Sequence, residues 1–304
     1  MKQYLNVLKD ILKNGVEKES GRANMPNTIG LSNATIKMDM ANGFPLLTTK
    51  KMFVRGIIHE LLWFLRGDTN IKYLVDNNVN IWNGNAYRWY LSEAKKRGFE
   101  PELDTIESFV QEVKDKGAYE VWDSIYRLGD LGKVYGYQWR NQNGVDQVAD
   151  VIHGLQTNPY SRYHIIDGWQ KSDFAAMALP PCHLLYQFIV RPIEGATDME
   201  PKFYLDLNMY QRSVDTFLGC PFNIASMSLL LHVIAKTCNM IPGIATWIGG
   251  DTHLYVHHIE NVKKQLERDP LELPTLTIKK RLRNINDIEL LKIEDIAISD
   301  YKSH

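Results

Sequence analysis

A cysteine at position 182 combines a reactive side chain with a setting that could hold it still. It follows Pro180 and Pro181, and it precedes an apolar run over residues 184–190 that predicts a strand. Because the prolines fix φ and lack backbone N–H groups, we expect an extended segment that presents the thiol at the start of the strand. A thiol held in this way could serve as a nucleophile. The alternative is that Cys182 is a small buried hydrophobe.

Two charged residues are further candidates, and each has a structural as well as a chemical interpretation. Glu60 lies beside the apolar face of a helix predicted over residues 53–65, among aromatic residues. A carboxylate there destabilises the fold unless it has partners. Glu60 is therefore either half of a solvent-facing salt bridge or an acid or base with a shifted pKa. Arg22, in a polar loop over residues 17–27, is either an exposed cation or a contact for an anion.

The composition is that of an ordinary globular protein, which excludes the disordered and fibrous classes. A chain of 304 residues, 44% hydrophobic and 23% charged, can form one large domain or two smaller ones. The net charge of −1 argues against a dedicated nucleic-acid or membrane-surface binder, although a few arginines could still hold a small anion.

The cysteines and the apolar segments of the sequence indicate the cellular compartment in which the protein is expected. Cys182, Cys220 and Cys238 have neither the spacing of zinc ligands nor the density of a disulfide scaffold. The N-terminus lacks the apolar core of a signal peptide, and no apolar run approaches the length that spans a membrane. We therefore expect a reduced cytoplasmic protein with no bound metal and no membrane partner.

The periodicity of apolar residues predicts an α+β protein. Residues 83–130 are polar and charge-rich, and we interpret them as an insertion that carries no chemistry. The sequence contains neither a glycine-rich dinucleotide motif nor a phosphate-binding loop. The predicted helices cover residues 1–15, 53–65, 106–113, 145–155, 222–238 and 256–268, and the predicted strands cover residues 35–40, 164–169, 184–190, 203–210 and 245–248.

Five separated segments carry groups suited to polar, planar ligands or to covalent chemistry. They read Glu-Leu-Leu-Trp-Phe-Leu over residues 60–65, Leu-Pro-Pro-Cys-His over 179–183, Gln-Arg-Ser-Val-Asp over 211–215, Phe-Leu-Gly-Cys-Pro-Phe-Asn-Ile-Ala-Ser over 217–226, and Gly-Asp-Thr-His-Leu-Tyr over 250–255. In this order they resemble the thymidylate synthase family, and the resemblance runs from about residue 4 to the end of the chain.

The resemblance implies a single domain over residues 1–304, with a large mixed β-sheet flanked by helices and with residues 83–130 as a small inserted helical subdomain. It also implies a homodimer in which each active site is completed by the partner subunit. The family transfers a one-carbon unit from 5,10-methylenetetrahydrofolate to C5 of a pyrimidine nucleotide. Because C5 of uracil is a poor nucleophile, a thiolate first adds at C6 and gives C5 the character of an enolate carbon.

The resemblance also assigns roles to individual residues. Cys182 supplies the thiolate, and Arg212 contacts both the sulfur and the nucleotide phosphate. Asn223 donates to O4 of the base and accepts from N3–H, which matches uracil and favours dUMP over a cytosine nucleotide. The other assigned positions are Glu60, Tyr135, His183 and Asp215 for catalysis; Arg22, Gln211, Ser213, His253, Tyr255 and the partner subunit's Arg162 for the nucleotide; and Trp82, Leu179, Asp215 and Gly219 for folate.

Three features depart from the family pattern. Arg162 is followed by Tyr163, where the family has a second arginine for the phosphate. The loop after Arg22 reads Ala-Asn-Met-Pro-Asn, which is not the usual family sequence. The sequence ends at His304, where the apolar closing tail of the family begins. Without such a lid, water should compete with hydride for the methylene intermediate on C5.

From the sequence alone we therefore expect a dUMP hydroxymethylase that makes 5-hydroxymethyl-dUMP, a type of enzyme known mostly from viruses with modified DNA, which would act in the host cytoplasm. The alternative is thymidylate synthase proper, which makes thymidylate and dihydrofolate. A further alternative is a non-catalytic relative that binds nucleotide or RNA. The presence of Cys182 argues against a non-catalytic function, because a binding module needs no thiol. The near-zero net charge gives no indication of a basic surface that binds nucleic acid.

Overall fold

Helices and strands alternate irregularly along the chain, as expected for an α+β protein. The computed structural model describes residues 1–122, 126–197 and 200–304. The helices are Lys2–Asn14 (α1), Val54–Leu65 (α2), Lys72–Asp76 (α3), Asn83–Arg97 (α4), Ile106–Lys116 (α5), Tyr135–Asn141 (α6), Gln147–Thr157 (α7), Cys220–Thr237 (α8), Ile259–Leu266 (α9) and Ile285–Glu289 (α10). The strands are Val16–Lys18 (β1), Thr28–Leu31 (β2), Ala34–Asp39 (β3), Glu120–Val121 (β4), Tyr126–Arg127 (β5), Ile165–Asp167 (β6), His183–Pro192 (β7), Phe203–Asp215 (β8), Ile241–Tyr255 (β9), Thr275–Ile278 (β10) and Ile296–Ser299 (β11).

A seven-stranded mixed sheet lies at the centre of the described residues. Its strands follow the order β1-β2-β9-β8-β7-β6, and β3 also pairs with β9. Strands β8 and β9 are parallel, as two strands joined through a helix can be, whereas β7 is antiparallel to both β6 and β8. The expected large mixed sheet flanked by helices is confirmed.

Helix α8 covers one face of this sheet. Apolar residues alternate along β8, and Leu205, Leu207 and Met209 are buried on the covered face. Since α8 is enclosed by β8, β9 and α2, it is apolar on nearly all sides. Each large side chain buried there contributes roughly 1.5–3 kcal/mol to folding. The sheet is therefore a rigid support for groups at the ends of its strands.

Strands β8 and β9 are longer than predicted. The strand expected over residues 203–210 continues to Asp215, and residues 245–248 are only the middle of β9. Strands are predicted from alternating apolar and polar residues, and extra polar side chains interrupt this alternation near the ends of both strands. The predicted strands therefore end before the backbone hydrogen bonding does. Ser213, for example, still lies opposite Asp251. These extensions carry predicted site residues to the end of the sheet.

The segment from residue 83 to residue 130 packs around an aromatic cluster of its own. Helices α4 and α5 and the hairpin β4–β5 belong to it. The rings of Tyr90 and Trp122 stack with centroids 5.0 Å apart, and Tyr126 lies 5.2 Å from Trp122. Part of the predicted insertion, residues 123–125, lies outside the described residues. That the insertion forms a separate subdomain stays a prediction.

Membrane-spanning and metal-binding features are absent from the part of the chain that the structure describes. None of its helices is long and apolar enough to cross a membrane. None of its His, Cys, Asp and Glu side chains form a group of three that could hold a metal ion. Cys182, Cys220 and Cys238 are free thiols.

Candidate active site

A cavity of about 420 Å³ opens at the end of the sheet where β7 begins and β8 and β9 end. Most residues that the sequence assigns to chemistry line it. They are Arg22, Glu60, Trp82, Tyr135, Leu179, Cys182, His183, Gln211, Ser213, Asp215, Gly219, Asn223, His253 and Tyr255. Of the assigned residues, Arg162 and Arg212 are not part of the lining. A larger concavity of about 810 Å³ at the C-terminal end of α8 contains none of the assigned residues.

Hydrogen bonds fix the backbone on both sides of Cys182. Its N–H donates to the hydroxyl oxygen of Tyr135 at 2.7 Å, and its carbonyl accepts from the N–H of Arg212 at 2.9 Å. The Arg212 guanidinium donates to the carbonyls of Pro181 at 2.8 Å and Pro180 at 3.1 Å. Strand β7 begins at the next residue, so the prediction that the thiol lies at the start of a strand is confirmed. The half-buried thiol therefore faces the cavity from a fixed backbone.

Glu60 reaches the cavity from α2 and is surrounded by aromatic side chains. Burial raises the pKa of its carboxyl group to about 7. The indole N–H of Trp82 donates to Glu60 Oε1 at 2.8 Å and partly opposes that rise. A carboxyl group with a pKa near 7 can both release and take up a proton at neutral pH. Of the two interpretations of Glu60, the geometry favours the acid or base with a shifted pKa.

Tyr135 and His183 provide polar groups beside the thiol. Burial, together with the neighbouring Cys182, raises the pKa of Tyr135 well above its usual value, so the hydroxyl stays protonated. Burial lowers the pKa of His183 to about 4, so its imidazole is neutral at physiological pH. His183 Nδ1 is buried and has no hydrogen-bond partner among the described residues. A hydrogen bond with the Asn223 side chain partly opposes the fall in the pKa of His183.

Asn223, in the first turn of α8, is joined to two buried residues. Its Oδ1 accepts from Gln211 Nε2 at 3.0 Å, and Gln211 Oε1 accepts from the indole N–H of Trp247 at 2.8 Å. Gln211 Nε2 also donates to the Ser213 carbonyl at 3.2 Å. No pattern in the sequence connects Trp247, a residue of β9, with the site.

Asp215 ends β8 and caps the turn that leads into α8. Its Oδ1 accepts from the N–H groups of Phe217 and Leu218, both at 3.0 Å. Lys50 and His258, which the sequence analysis missed, lie beside it. Lys50 Nζ donates to the Phe217 carbonyl at 2.7 Å, and His258 Nδ1 is 4.0 Å from Asp215 Oδ2. Lys50 belongs to a connecting segment without a periodic pattern, so only the folded chain reveals its place.

The N-terminal loop and the end of β9 meet at the mouth of the cavity. Strand β2 pairs with β9, so Gly30 lies opposite His253 and Thr28 lies opposite Tyr255. This pairing brings the loop before β2, which carries Arg22, to the cavity. A cation, an imidazole and a phenol hydroxyl thus line one side of the opening, where a sugar and a phosphate could bind.

Arg162 lies outside the cavity of its own chain. It is exposed in the connection between α7 and β6, and its neighbour Tyr163 is 89% exposed. A role for Arg162 in such a cavity would require a second copy of the chain.

The described residues also contribute a wall that the sequence analysis missed, formed by Met25, Phe64, Ile81, Asn85 and Val214. All but Asn85 are apolar, which suits a planar ligand. Asn85 belongs to the first turn of α4, so the N-terminal end of residues 83–130 reaches the cavity, whereas the expectation that this insertion carries no chemistry stays a prediction. A polar residue at a helix start more often caps the helix, so the position of Asn85 carries no distinct signal in the sequence.

Comparison with known proteins decides the family. The chain matches the family model described as Thymidylate synthase over residues 2–304. It is 45% identical to the thymidylate synthase of Mycoplasma mobile over 306 residues, which cover 100% of this chain and 97% of the relative. The chain belongs to the thymidylate synthase family. The thymidylate synthases of Malacoplasma penetrans and Mesoplasma florum are each 44% identical to it over 304 residues, with the same coverage.

As a thymidylate synthase family member, the protein is a one-carbon transferase with 5,10-methylenetetrahydrofolate as co-substrate. The cavity fits such a molecule. Trp82, Ile81 and Val214 give apolar surface for a pterin ring, and the carboxylate of Asp215 can accept from its N–H groups. When bound, this co-substrate supplies the one-carbon unit. The family binds dUMP and folate, so the same cavity has to hold a nucleotide beside the pterin.

Proposed function

We propose that this family member methylates dUMP to thymidylate, with dihydrofolate as the second product. The convergence of Cys182, Glu60 and Asn223 on one cavity carries the proposal. The relatives that align along the whole chain are named thymidylate synthases, which favours methylation over the hydroxymethylation expected from the sequence. That expectation depended on the last residues of the sequence alone. Trp82 in the cavity wall supports the methylation route, because an aromatic side chain keeps water from the reacting carbon.

In this proposal Cys182 adds to C6 of dUMP as a thiolate, and C5 thereby becomes the nucleophile. The hydrogen bonds around its backbone hold the sulfur at one position relative to the base, which lowers the entropic part of the barrier. Arg212 lies against the carbonyls of the two preceding prolines. Its charge is therefore close to the thiol segment, and we propose that it also contacts the phosphate.

Proton transfers fall to three neighbouring groups. Glu60, with a pKa of about 7, exchanges a proton with O4 of the base, directly or through water. Tyr135 and His183 lie beside Cys182, and we propose that a water molecule held by the Tyr135 hydroxyl and the His183 imidazole takes up the C5 proton and passes it to solvent. Because His183 is neutral, its imidazole can accept as well as donate a proton.

The other proposed contacts follow the shape of the cavity. Asn223 binds the base edge, and Gln211 holds Asn223. The remaining assignments are Arg22 and Ser213 for the phosphate, His253 and Tyr255 for the sugar 3′-hydroxyl, and Trp82, Leu179, Asp215 and Gly219 for folate.

We further propose that the chain acts as a homodimer in which the partner subunit's Arg162 completes the phosphate site. The sheet face opposite α8 supports this arrangement, since Ile189 and Tyr210 are 39% and 41% exposed on it. Apolar surface on an open sheet favours association. Arg162 precedes β6, a strand at the edge of the same sheet. We also propose that residues 1–304 form one domain and that the enzyme works in the cytoplasm.

Product analysis tests the proposed reaction. The protein is incubated with dUMP and 5,10-methylenetetrahydrofolate, and nucleotides and folates are separated and identified by mass. We expect thymidylate and dihydrofolate in equal amounts. A nucleotide heavier than thymidylate by one oxygen, together with tetrahydrofolate, would show that the enzyme hydroxymethylates dUMP instead. Failure to release tritium from [5-³H]dUMP would favour the non-catalytic relative.

A further inference from the structure

We infer that Trp247 is a positioning residue that excludes cytosine nucleotides by fixing the orientation of the Asn223 carboxamide. The inference rests on the proposed function, in which Asn223 reads the base. Trp247, Gln211 and Asn223 form a continuous chain of hydrogen bonds, and its first two members are 0% and 2% exposed. Trp247 is thus connected to the cavity without lining it.

The orientation of each amide follows from groups that can only donate or only accept. An indole has an N–H and no acceptor, so the Gln211 atom 2.8 Å from Trp247 Nε1 must be the amide oxygen. A backbone carbonyl only accepts, so the Gln211 atom 3.2 Å from the Ser213 carbonyl must be the amide nitrogen. The two ends agree. Gln211 Nε2 therefore donates across 3.0 Å to Asn223, and the atom that accepts must be Oδ1.

This orientation leaves the amide nitrogen of Asn223 to face position 4 of the base. It donates there to O4 of uracil, and the second lone pair of Oδ1 can accept from N3–H. Cytosine has an amino group at position 4 and an acceptor at N3, so both contacts fail. A reversed carboxamide would match cytosine at both positions. Trp247 therefore discriminates between the two bases by opposing the reversal.

Burial makes this control effective. If Gln211 reversed, its NH₂ group would meet the indole N–H, and its oxygen would face the Ser213 carbonyl. Water cannot replace the lost partners, because Gln211 and Trp247 are enclosed. A buried polar group without a partner costs more free energy than the same group in water. The indole N–H and the Ser213 carbonyl therefore both disfavour the reversed chain of hydrogen bonds, and removing the indole N–H removes the shorter of these two contacts.

One substitution at position 247 and one control test the inference. Trp247→Phe removes the N–H and keeps an aromatic ring. Trp139→Phe is the matched control, since Trp139 is 1% exposed and its Nε1 has no partner among the described residues. Dissociation constants for dUMP and dCMP are measured by calorimetry, and their ratio is the readout.

We expect Trp247→Phe to reduce the preference for dUMP over dCMP about tenfold, which corresponds to about 1.4 kcal/mol. Trp139→Phe should keep the wild-type preference. An unchanged preference in folded Trp247→Phe overturns the inference, and so does an equal loss of both affinities, which would indicate a purely structural effect.

A second variant keeps the test decisive if Trp247→Phe does not fold. In Gln211→Glu the carboxylate cannot donate to Asn223 Oδ1, so the Asn223 carboxamide should reverse and the preference should fall in the same way. An unchanged preference in that variant also overturns the inference. Tritium release from [5-³H]dUMP by the wild type is measured in parallel. No release would contradict the proposed function, whereas an unchanged preference in an active enzyme contradicts only the role of Trp247.

Discussion

The indole N–H of Trp82 controls how tightly Glu60 binds a proton, so removing it should change the pH dependence of the enzyme. Trp82→Phe keeps an aromatic ring in the cavity wall and deletes the 2.8 Å hydrogen bond to Glu60 Oε1. That bond stabilises the carboxylate more than the protonated acid. Its loss should therefore raise the pKa of Glu60 above the present value of about 7.

The size of this change follows from one hydrogen bond. A hydrogen bond to a charged group contributes roughly 1.5–3 kcal/mol, and one pKa unit corresponds to about 1.4 kcal/mol. Water that enters the space left by the indole recovers part of this energy, so we take the lower limit. The pKa of Glu60 should rise by about one unit. At pH 7 the ionised fraction of Glu60 then falls from about a half to about a tenth.

Carbon-13 NMR of labelled glutamate side chains measures the pKa directly, and Glu60→Gln identifies the resonance. The same shift should appear in the pH profile of tritium release at low dUMP concentration, which reports groups of the free enzyme. Trp139→Phe is the control, because it removes a buried indole N–H that has no partner among the described residues. A pKa of Glu60 that stays constant or falls in folded Trp82→Phe would refute the reasoning.

Four further predictions concern the proposed site. Cys182→Ala should abolish turnover and the covalent adduct with dUMP, seen by mass spectrometry, while the nucleotide still binds; residual turnover would exclude Cys182 as the nucleophile. Asn223→Asp should shift the preference from dUMP to dCMP in binding assays, and an unchanged preference would mean that Asn223 does not read the base. Mixing Arg162→Ala subunits with Cys182→Ala subunits should restore activity through the mixed dimer, and no recovery would remove Arg162 from the partner's site. Glu60→Gln should stabilise the protein towards urea by at most about 3 kcal/mol at pH 8 and not at pH 4. The pKa of Glu60 is about 7 in the folded protein and 4.5 ordinarily, so the wild type loses stability as the pH rises between these two values. Equal stability of the wild type and the variant at pH 8 would show that burial does not destabilise the Glu60 carboxylate.

The segment around Cys182 could be predicted because its signal is local. Pro180 and Pro181 precede an apolar run, and the strand begins at His183 as that pattern requires. The helix that carries Glu60 was predictable for the same reason, since its apolar periodicity is strong over residues 53–65. These two elements position the proposed nucleophile, Cys182, and the carboxylate of Glu60.

Other parts of the site depend on residues far apart in the sequence, and no local pattern encodes them. In the sequence, Trp247 does not differ from other apolar residues of a buried strand. Only the folded chain shows that its N–H donates to Gln211, 36 positions away. Lys50 reaches a carbonyl 167 positions away. The ends of β8 and β9 escaped prediction because their polar residues face a cavity, which breaks the alternation that predicts strands. The expected hydroxymethylase depended on the end of the sequence, and the relatives favour the synthase instead.

The order of strands in the sheet also affects how the chain folds during its synthesis. Strands β2 and β3 are among the first parts to be synthesised. Among the described strands β3 pairs only with β9, and β2 pairs with β9 and with the short β1; β9 begins at Ile241. The ribosome adds roughly 5–20 residues per second, so these strands wait on the order of ten seconds or more for their partner. During that interval the edges of β2 and β3 that pair with β9 lack their partner, and unpaired strand edges are places where other chains can associate. The hydroxyl of Tyr4, which donates to the Thr216 carbonyl at 2.9 Å, is likewise unpaired until most of the chain has been made. The sheet therefore cannot be completed until β9, near the end of the chain, has been synthesised.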